Sequence, residues 1–335
     1  MRLAVCGFLM ALDWTSAAQA ELRHTIGEVA LIVNGGVSVV GARVDEAGIA
    51  GGFRSEGDID AHGSLNLEWT SATGLILGVA AAGDTADNRP DTLKNDRVYA
   101  YASSEWGRAE VGLTSGPARR MSFAAPVIGA GQIRGDFARY ANASALLWPL
   151  DTRQSFKLVY LSPPISGLRF GASWSPRVER FATVQKNAFE FGAQFERPVG
   201  DWVFGTSAAY VHGSAETPGL RDINSWSIGL QARKGKLVLG GAFVDRGDSN
   251  RFGGSLDQRE TNIGVAWRDV TWSVAASAAR SRSQVADTNV VGLGGSLDVG
   301  DHVTLTADLV GLRQRRLTSG WSSGVVLLSG IELHF

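Results

Sequence analysis

Scarcities set the first limits. Cys6 is the single cysteine in 335 residues, and it falls inside a leader-like opening stretch. A mature chain lacking that stretch has no disulfide framework and no thiolate chemistry. Proline is low, at 9, whereas glycine reaches 42. Charge of either sign is not in excess: 32 basic residues face 33 acidic ones. That balance excludes the basic signature of a nucleic-acid binder. Beyond the opening stretch no apolar run approaches the roughly 20 residues of a membrane helix. The five histidines (His24, His62, His212, His302 and His334) lie far apart, with no metal-ligand spacing. Gly292-Leu293-Gly294-Gly295 sits inside a strand pattern, not between a strand and a helix, so it is no phosphate cradle. Glu190 and Glu196 share a strand face but stand about 20 Å apart along it, too far for a carboxylate pair. No Ser–His or Asp–His grouping stands out. Catalytic residues, metals and cofactors are therefore not expected.

The opening stretch itself is informative. Arg2 supplies a positive start, Leu3 to Leu12 an apolar segment, and Ala18-Gln19-Ala20 the small residues a signal peptidase reads. We expect residues 1–20 to be a signal peptide cut near Ala20, and 21–335 to form the working domain. An exported chain without a membrane helix is either a soluble exported protein or a membrane barrel.

What is abundant decides between them. Leu65-Asn66-Leu67-Glu68-Trp69-Thr70 alternates apolar with polar, as do Phe189 to Glu196, Leu168 to Ser175 and Trp226 to Arg233. A period of two marks strands with one apolar face. Sixteen such segments can be counted: 35–44, 60–71, 73–83, 96–106, 107–114, 154–162, 167–176, 186–197, 201–212, 223–234, 235–246, 258–268, 269–281, 287–299, 301–313 and 323–335. Tight turns alternate between them with longer polar loops, and an even strand number with short turns on one side is an outer-membrane barrel's layout. Trp69, Trp202, Trp267, Trp272 and Phe335 fall at one set of strand ends; Trp174, Tyr210, Trp226, Phe243 and Trp321 fall at the other. Two aromatic girdles at the membrane–water interfaces explain that segregation. Sixteen strands also enclose too much volume for side chains to fill, so the polar face lines water and the apolar face meets lipid. The expected fold is all-β: a transmembrane antiparallel up-and-down barrel.

Three stretches resemble the Gram-negative general porin family. Val98-Tyr99-Ala100-Tyr101 through Trp106-Gly107-Arg108-Ala109-Glu110-Val111-Gly112-Leu113 is similar to the hairpin before that family's long third loop. Phe156-Lys157-Leu158-Val159-Tyr160-Leu161-Ser162-Pro163-Pro164, followed by Gly167 to Trp174, resembles the hairpin after it. Gly330-Ile331-Glu332-Leu333-His334-Phe335 resembles the terminal strand, whose last Phe the outer-membrane assembly machinery reads. The resemblance implies a 16-stranded homotrimer in the outer membrane, touching lipid and lipopolysaccharide. It also implies that the third loop folds inward, over a water-filled channel for passive diffusion of ions and small hydrophilic solutes.

Selectivity then rests on charged rings at the constriction. The longest loop, 115–153, carries Arg119, Arg120, Arg134, Arg139 and Arg153 against Asp136 and Asp151. The family's acidic loop tip is poorly represented, so the expected lean is towards anions. Parity adds Lys157, Arg169 and Arg233 to the wall, beside Glu110. A substrate-specific porin is the nearest alternative, and an outer-membrane barrel enzyme a more distant one.

Overall fold

Alternating segments become strands almost wherever the pattern is found. The computed structural model describes residues 22–47, 53–84, 97–129, 151–180, 183–253, 257–316 and 320–334. Its first half holds β1 (Leu22–Ile26), β2 (Val29–Ala47), β3 (Phe53–Thr70), β4 (Ile76–Asp84), β5 (Arg97–Ser104), β6 (Gly107–Thr114), the single helical turn α1 (Pro117–Arg120), β7 (Ser155–Leu161), β8 (Leu168–Arg180) and β9 (Thr183–Val199). The second half holds β10 (Trp202–Ala215), β11 (Ile223–Lys234), β12 (Leu237–Gly247), β13 (Gln258–Arg268), β14 (Trp272–Ser283), β15 (Ala286–Asp298), β16 (Val303–Arg316) and β17 (Gly320–His334).

From β2 onward each strand pairs antiparallel with the next, and β17 pairs back onto β2 from Ser323↔Ala47 to His334↔Gly36. The result is a closed 16-stranded barrel. Closure gives every ladder N–H and C=O a neighbour, as a bilayer demands. Strand β1 is an addition to the sixteen expected segments. It folds back through a Gly27 turn onto Val29–Val33 of β2, using the edge that β17 takes further along. The first loop is also shorter than its expected span of 45–59, because β2 runs to Ala47 and β3 begins at Phe53. Expected strands 223–234 and 258–268 coincide with β11 and β13.

The two ends of the barrel differ as the loop lengths require. Turns such as β9–β10 and β11–β12 are tight, with Gly200 at φ 60° and Gly235 at φ 53°, a region that glycine enters without a Cβ clash. Outward-facing positions carry large apolar side chains on strand after strand, among them Leu230, Ile263, Val291 and Leu327. An apolar surface so continuous is far beyond what a soluble monomer exposes, and hydrocarbon is its natural solvent. No helix among the described residues is long and apolar enough to cross a membrane. Trp69, Trp267 and Trp272 stand near the short-turn rim, where Trp69 Nε1 donates to Glu28 Oε2 at 2.9 Å. Towards the long-loop rim Tyr210 lies opposite Trp226, whose ring is 5.4 Å from that of Phe243. Phe335 lies outside the described residues, as do positions 1–20.

The inner face departs from the uniform polar lining that alternation implies. From β15 through β17 to β2 it holds an apolar patch: Val290, Val310, Leu312, Val326, Leu328, Val40 and Val44 are buried there. Ala124 and Val127, from the loop after β6, pack on this cluster. Those valines and leucines meet protein, not water, which is why the alternation softens in these strands.

Candidate functional site: the inward loop and the passage beside it

The β6–β7 connection lies against the inner wall, and its described parts are 115–129 and 151–154. It starts with α1, where Pro117 occupies the first helical position and Met121 N–H bonds to Pro117 O at 3.0 Å. The chain then runs over a row of glycines, with one each from β8 through β13. A Cβ at Gly171 would stand 2.8 Å from Pro117 Cβ, and one at Gly192 2.7 Å from Pro117 O. At Gly205 it would meet the Phe123 ring at 2.7 Å, at Gly229 Phe123 O at 2.2 Å, and at Gly240 Ala124 O at 2.5 Å. Gly264 closes the row, where an added Cβ would stand 3.2 Å from Ala125 Cβ. The close approach of loop backbone to sheet needs these positions bare.

Contact that close strips the loop backbone of water, so its N–H groups need protein partners. Phe123 N–H donates to Ser207 Oγ at 2.8 Å, and Ala125 N–H donates to Asn262 Oδ1 at 2.8 Å. Glu190 anchors both ends of the loop. Fully buried on β9, it accepts from Ala118 N–H at 3.2 Å and Thr152 N–H at 2.7 Å, and also from the Thr152 hydroxyl. Lys157 Nζ sits 3.7 Å away, equally buried, and donates to Thr152 Oγ1 and Arg153 O. At the far end of the described stretch, a Cβ on Gly129 would come within 2.1 Å of Asp308 Oδ1 on β16. The loop therefore follows the wall from β8 round to β16.

Beside it lies a cavity of about 560 Å³ whose charged lining, among the described residues, is Arg97, Arg119, Arg120, Arg169, Arg233, Arg268 and Glu196. Four of the sequence candidates meet here: Arg119, Arg120, Arg169 and Arg233. Arg233 Nη2 holds Glu196 Oε1 at 3.0 Å, and Arg169 Nε has no hydrogen-bond partner among the described residues. Arg120 takes both oxygens of Glu110, at 2.8 and 3.2 Å, while Arg108 Nε holds the same carboxylate at 2.6 Å. Glu110 and Lys157 are thus buried partners at the loop's foot, away from the open passage. Arg134, Asp136 and Arg139 lie outside the described residues.

Sequence reasoning passed over Arg97, Arg268, Ser207 and Asn262, and it placed Glu190 on the inner strand face without its role as the loop's anchor. Arg268 continues the inner parity of Glu260, Asn262, Gly264 and Ala266, so the signal was present although the residue reads as part of a turn. Charge is also distributed unevenly around the ring. Strand β3 brings Glu56, Asp58, Asp60 and Glu68 to the inner face, and Tyr101 OH donates to Glu68 Oε1 at 2.5 Å. In a ring of sixteen, β3 and β11 are eight places apart and face each other. An arginine-rich wall therefore opposes an acidic one, setting a field across the lumen.

A closed barrel with an apolar outside, a charged interior and an inward loop defines a membrane channel. A family model described as Gram-negative porin matches residues 4–316, and the chain belongs to that family. Among solved structures it is similar to an anion-selective porin from Comamonas acidovorans, at TM-score 0.65 and 15% identity, covering 92% of this chain and 100% of that one. It is also similar to the Salmonella typhi OmpF porin, solved in complex with daunomycin, at TM-score 0.66 and 14% identity over 94% and 100%. The outer membrane channel DcaP of Acinetobacter baumannii aligns at TM-score 0.65 and 8% identity over 93% and 99%. No curated protein sequence matches. The chain is an outer-membrane channel for passive diffusion of ions and small solutes.

Proposed function

We propose that this porin favours anions, and that its current runs through the arginine-lined passage beside the inward loop. The observation that carries the reading is the charge of that lining, six arginines to one glutamate among the described residues. Arginine keeps its charge at any physiological pH. A ring of fixed positive charge in a narrow aqueous passage raises the local anion concentration and repels cations. Arg119, Arg120, Arg169 and Arg233 act there, joined by Arg97 and Arg268. Arg134, Asp136 and Arg139 complete the selectivity set from the loop's further part. Lys157 and Glu110 act indirectly, by fixing the loop. The name of the Comamonas acidovorans porin records anion selectivity for that protein and agrees with this assignment.

Around this centre we assign residues 1–20 to a cleaved signal peptide, 21–335 to the barrel and 115–153 to the constriction loop. The assembly is a homotrimer in contact with lipid and lipopolysaccharide, delivered through recognition of Phe335. The barrel carries no catalytic chemistry. The test is the zero-current potential of the purified channel in a planar bilayer under a KCl gradient. A potential of the sign set by chloride supports the proposal, and one set by potassium overturns it. Saturable block of that current by a single anionic solute would shift the assignment to a substrate-specific porin.

A further inference from the structure

The histidines that the sequence keeps apart are brought together by strand register. His62 of β3 and His334 of β17 are both direct cross-strand neighbours of Gly36 on β2. The three positions form one row on the inner face, across the seam where the last strand meets the first of the ring. Glycine keeps the middle of that row open. A Cβ at Gly36 would stand 2.9 Å from His62 Nε2 and 2.7 Å from Leu333 O. Glu332 is on the same face, two residues before His334. Its Oε1 is 3.9 Å from His62 Nε2 and 3.6 Å from His334 Nδ1. All three candidate ligand atoms lie within 4.8 Å of one another.

Hydrogen bonding around His334 selects the nitrogen that faces this group. Thr304 Oγ1 donates its proton to Asp298 Oδ1 at 2.7 Å, so towards His334 Nε2, at 3.3 Å, it acts as acceptor. Nε2 then carries the ring proton and Nδ1 presents a lone pair. The His334 side chain is only 2% exposed, and Nδ1 has no hydrogen-bond partner among the described residues. A buried imidazole nitrogen with a bare lone pair, oriented through its other nitrogen by a hydroxyl and a carboxylate, is the second-shell arrangement that metal-ligating histidines use.

We propose that His62, Glu332 and His334 bind a divalent transition-metal ion of the zinc class on the lumen wall near the periplasmic mouth. Two imidazoles and one carboxylate suit such an ion, whereas magnesium and calcium prefer oxygen alone. Three protein ligands leave a fourth position open to channel water. Tetrahedral zinc with bonds near 2.0–2.1 Å separates its ligand atoms by about 3.3 Å, so the carboxylate pairs need to close by about 0.3–0.6 Å and the two imidazoles, within 4.8 Å of each other, by up to about 1.5 Å through side-chain rotation. The ion would clip β3 to β17 across β2, at the seam that closes the barrel. Binding to the folded barrel alone would stabilise it.

Untagged protein, stripped with EDTA and folded in detergent, is titrated with zinc chloride by calorimetry. In parallel, its thermal unfolding is followed by the loss of compact mobility on SDS gels. One zinc per chain and a raised unfolding temperature are expected. His62→Ala and His334→Ala should each weaken binding roughly tenfold or more, as should Thr304→Val through the second shell. His24→Ala, on a distant exposed histidine, should change nothing. Failure of the native barrel to bind zinc overturns the proposal, and so does unchanged affinity in His62→Ala. Should His334→Ala not assemble, His62→Ala decides alone.

Discussion

The two halves of the inner wall are built from the same strand type and serve different ends. From β8 to β13 the wall is glycine, short polar anchors and arginine; from β15 through β17 to β2 it carries a patch of valine and leucine on which Ala124 and Val127 of the loop pack. Outside, both halves look alike, because lipid asks only for apolar side chains at alternate positions. Inside, neighbours differ strand by strand, and so do the residues. The lipid face reports the fold, while the lumen face reports how the loop is seated and which charges the solute meets.

Removing the anchor on the polar half should have the largest effect. Glu190→Gln removes the carboxylate 3.7 Å from buried Lys157, and breaking a buried pair in this way costs about 3–5 kcal/mol. The heat-induced loss of compact mobility on SDS gels should move well down in temperature, and channel conductance should become noisy as both ends of the loop loosen. Glu190→Gln combined with Lys157→Met should recover part of the loss, since the buried cation is then gone.

A substitution in the glycine row comes next. Gly229→Val puts a Cβ 2.2 Å from Phe123 O, and overpacking of this kind costs about 1–3 kcal/mol. Gly311→Ala, on the outer face of β16 with nothing within 4 Å of the added atom, should leave unfolding unchanged. Equal losses in the two variants would erase the distinction between the walls.

The acidic side of the lumen offers a smaller and purely electrical effect. Asp58→Asn with Asp60→Asn removes negative charge from β3, and the anion preference read from a salt-gradient potential should rise. Asp269 lies in the β13–β14 turn, outside the membrane span. The hydrogen bond from Lys236 at 2.5 Å, with that from Val270 N–H, holds its carboxyl below the usual carboxylate range. A carboxyl depressed on folding contributes stability above its unfolded pKa, and the contribution is lost as pH falls through the folded value. The group is exposed, so solvent screens the effect. Asp269→Asn should lower the unfolding temperature slightly at neutral pH and not at all in strong acid, as scanning calorimetry at the two pH values would show.

Much of the barrel is legible in the sequence because its determinants are local. Period two, turn residues and loop lengths are all read within a dozen positions, and β11 and β13 follow from them residue for residue. Strand β1 escaped because five residues beside a leader-like segment carry too few alternations to be counted. Within the passage, Arg169 and Arg233 follow from parity alone. Glu190 is placed on the inner face by parity too, but its anchoring role is not legible, because its partners, Ala118 and Thr152, are 72 and 38 positions away. The glycine row was visible only as abundance, since the register that aligns Gly171 with Gly192 and Gly240 with Gly264 is a property of pairing. The same holds for His62 and His334, which no spacing along the chain could have joined.

The claim that the arginine wall sets the selectivity is tested most directly by comparing two channels in one KCl gradient, the native protein and the variant with Arg169, Arg233 and Arg268 all replaced by Ser. The native channel should give a chloride-signed zero-current potential, collapsing towards zero or reversing in the variant. An unchanged potential in the variant, or a potassium-signed one in the native channel, would refute the arginine wall's role.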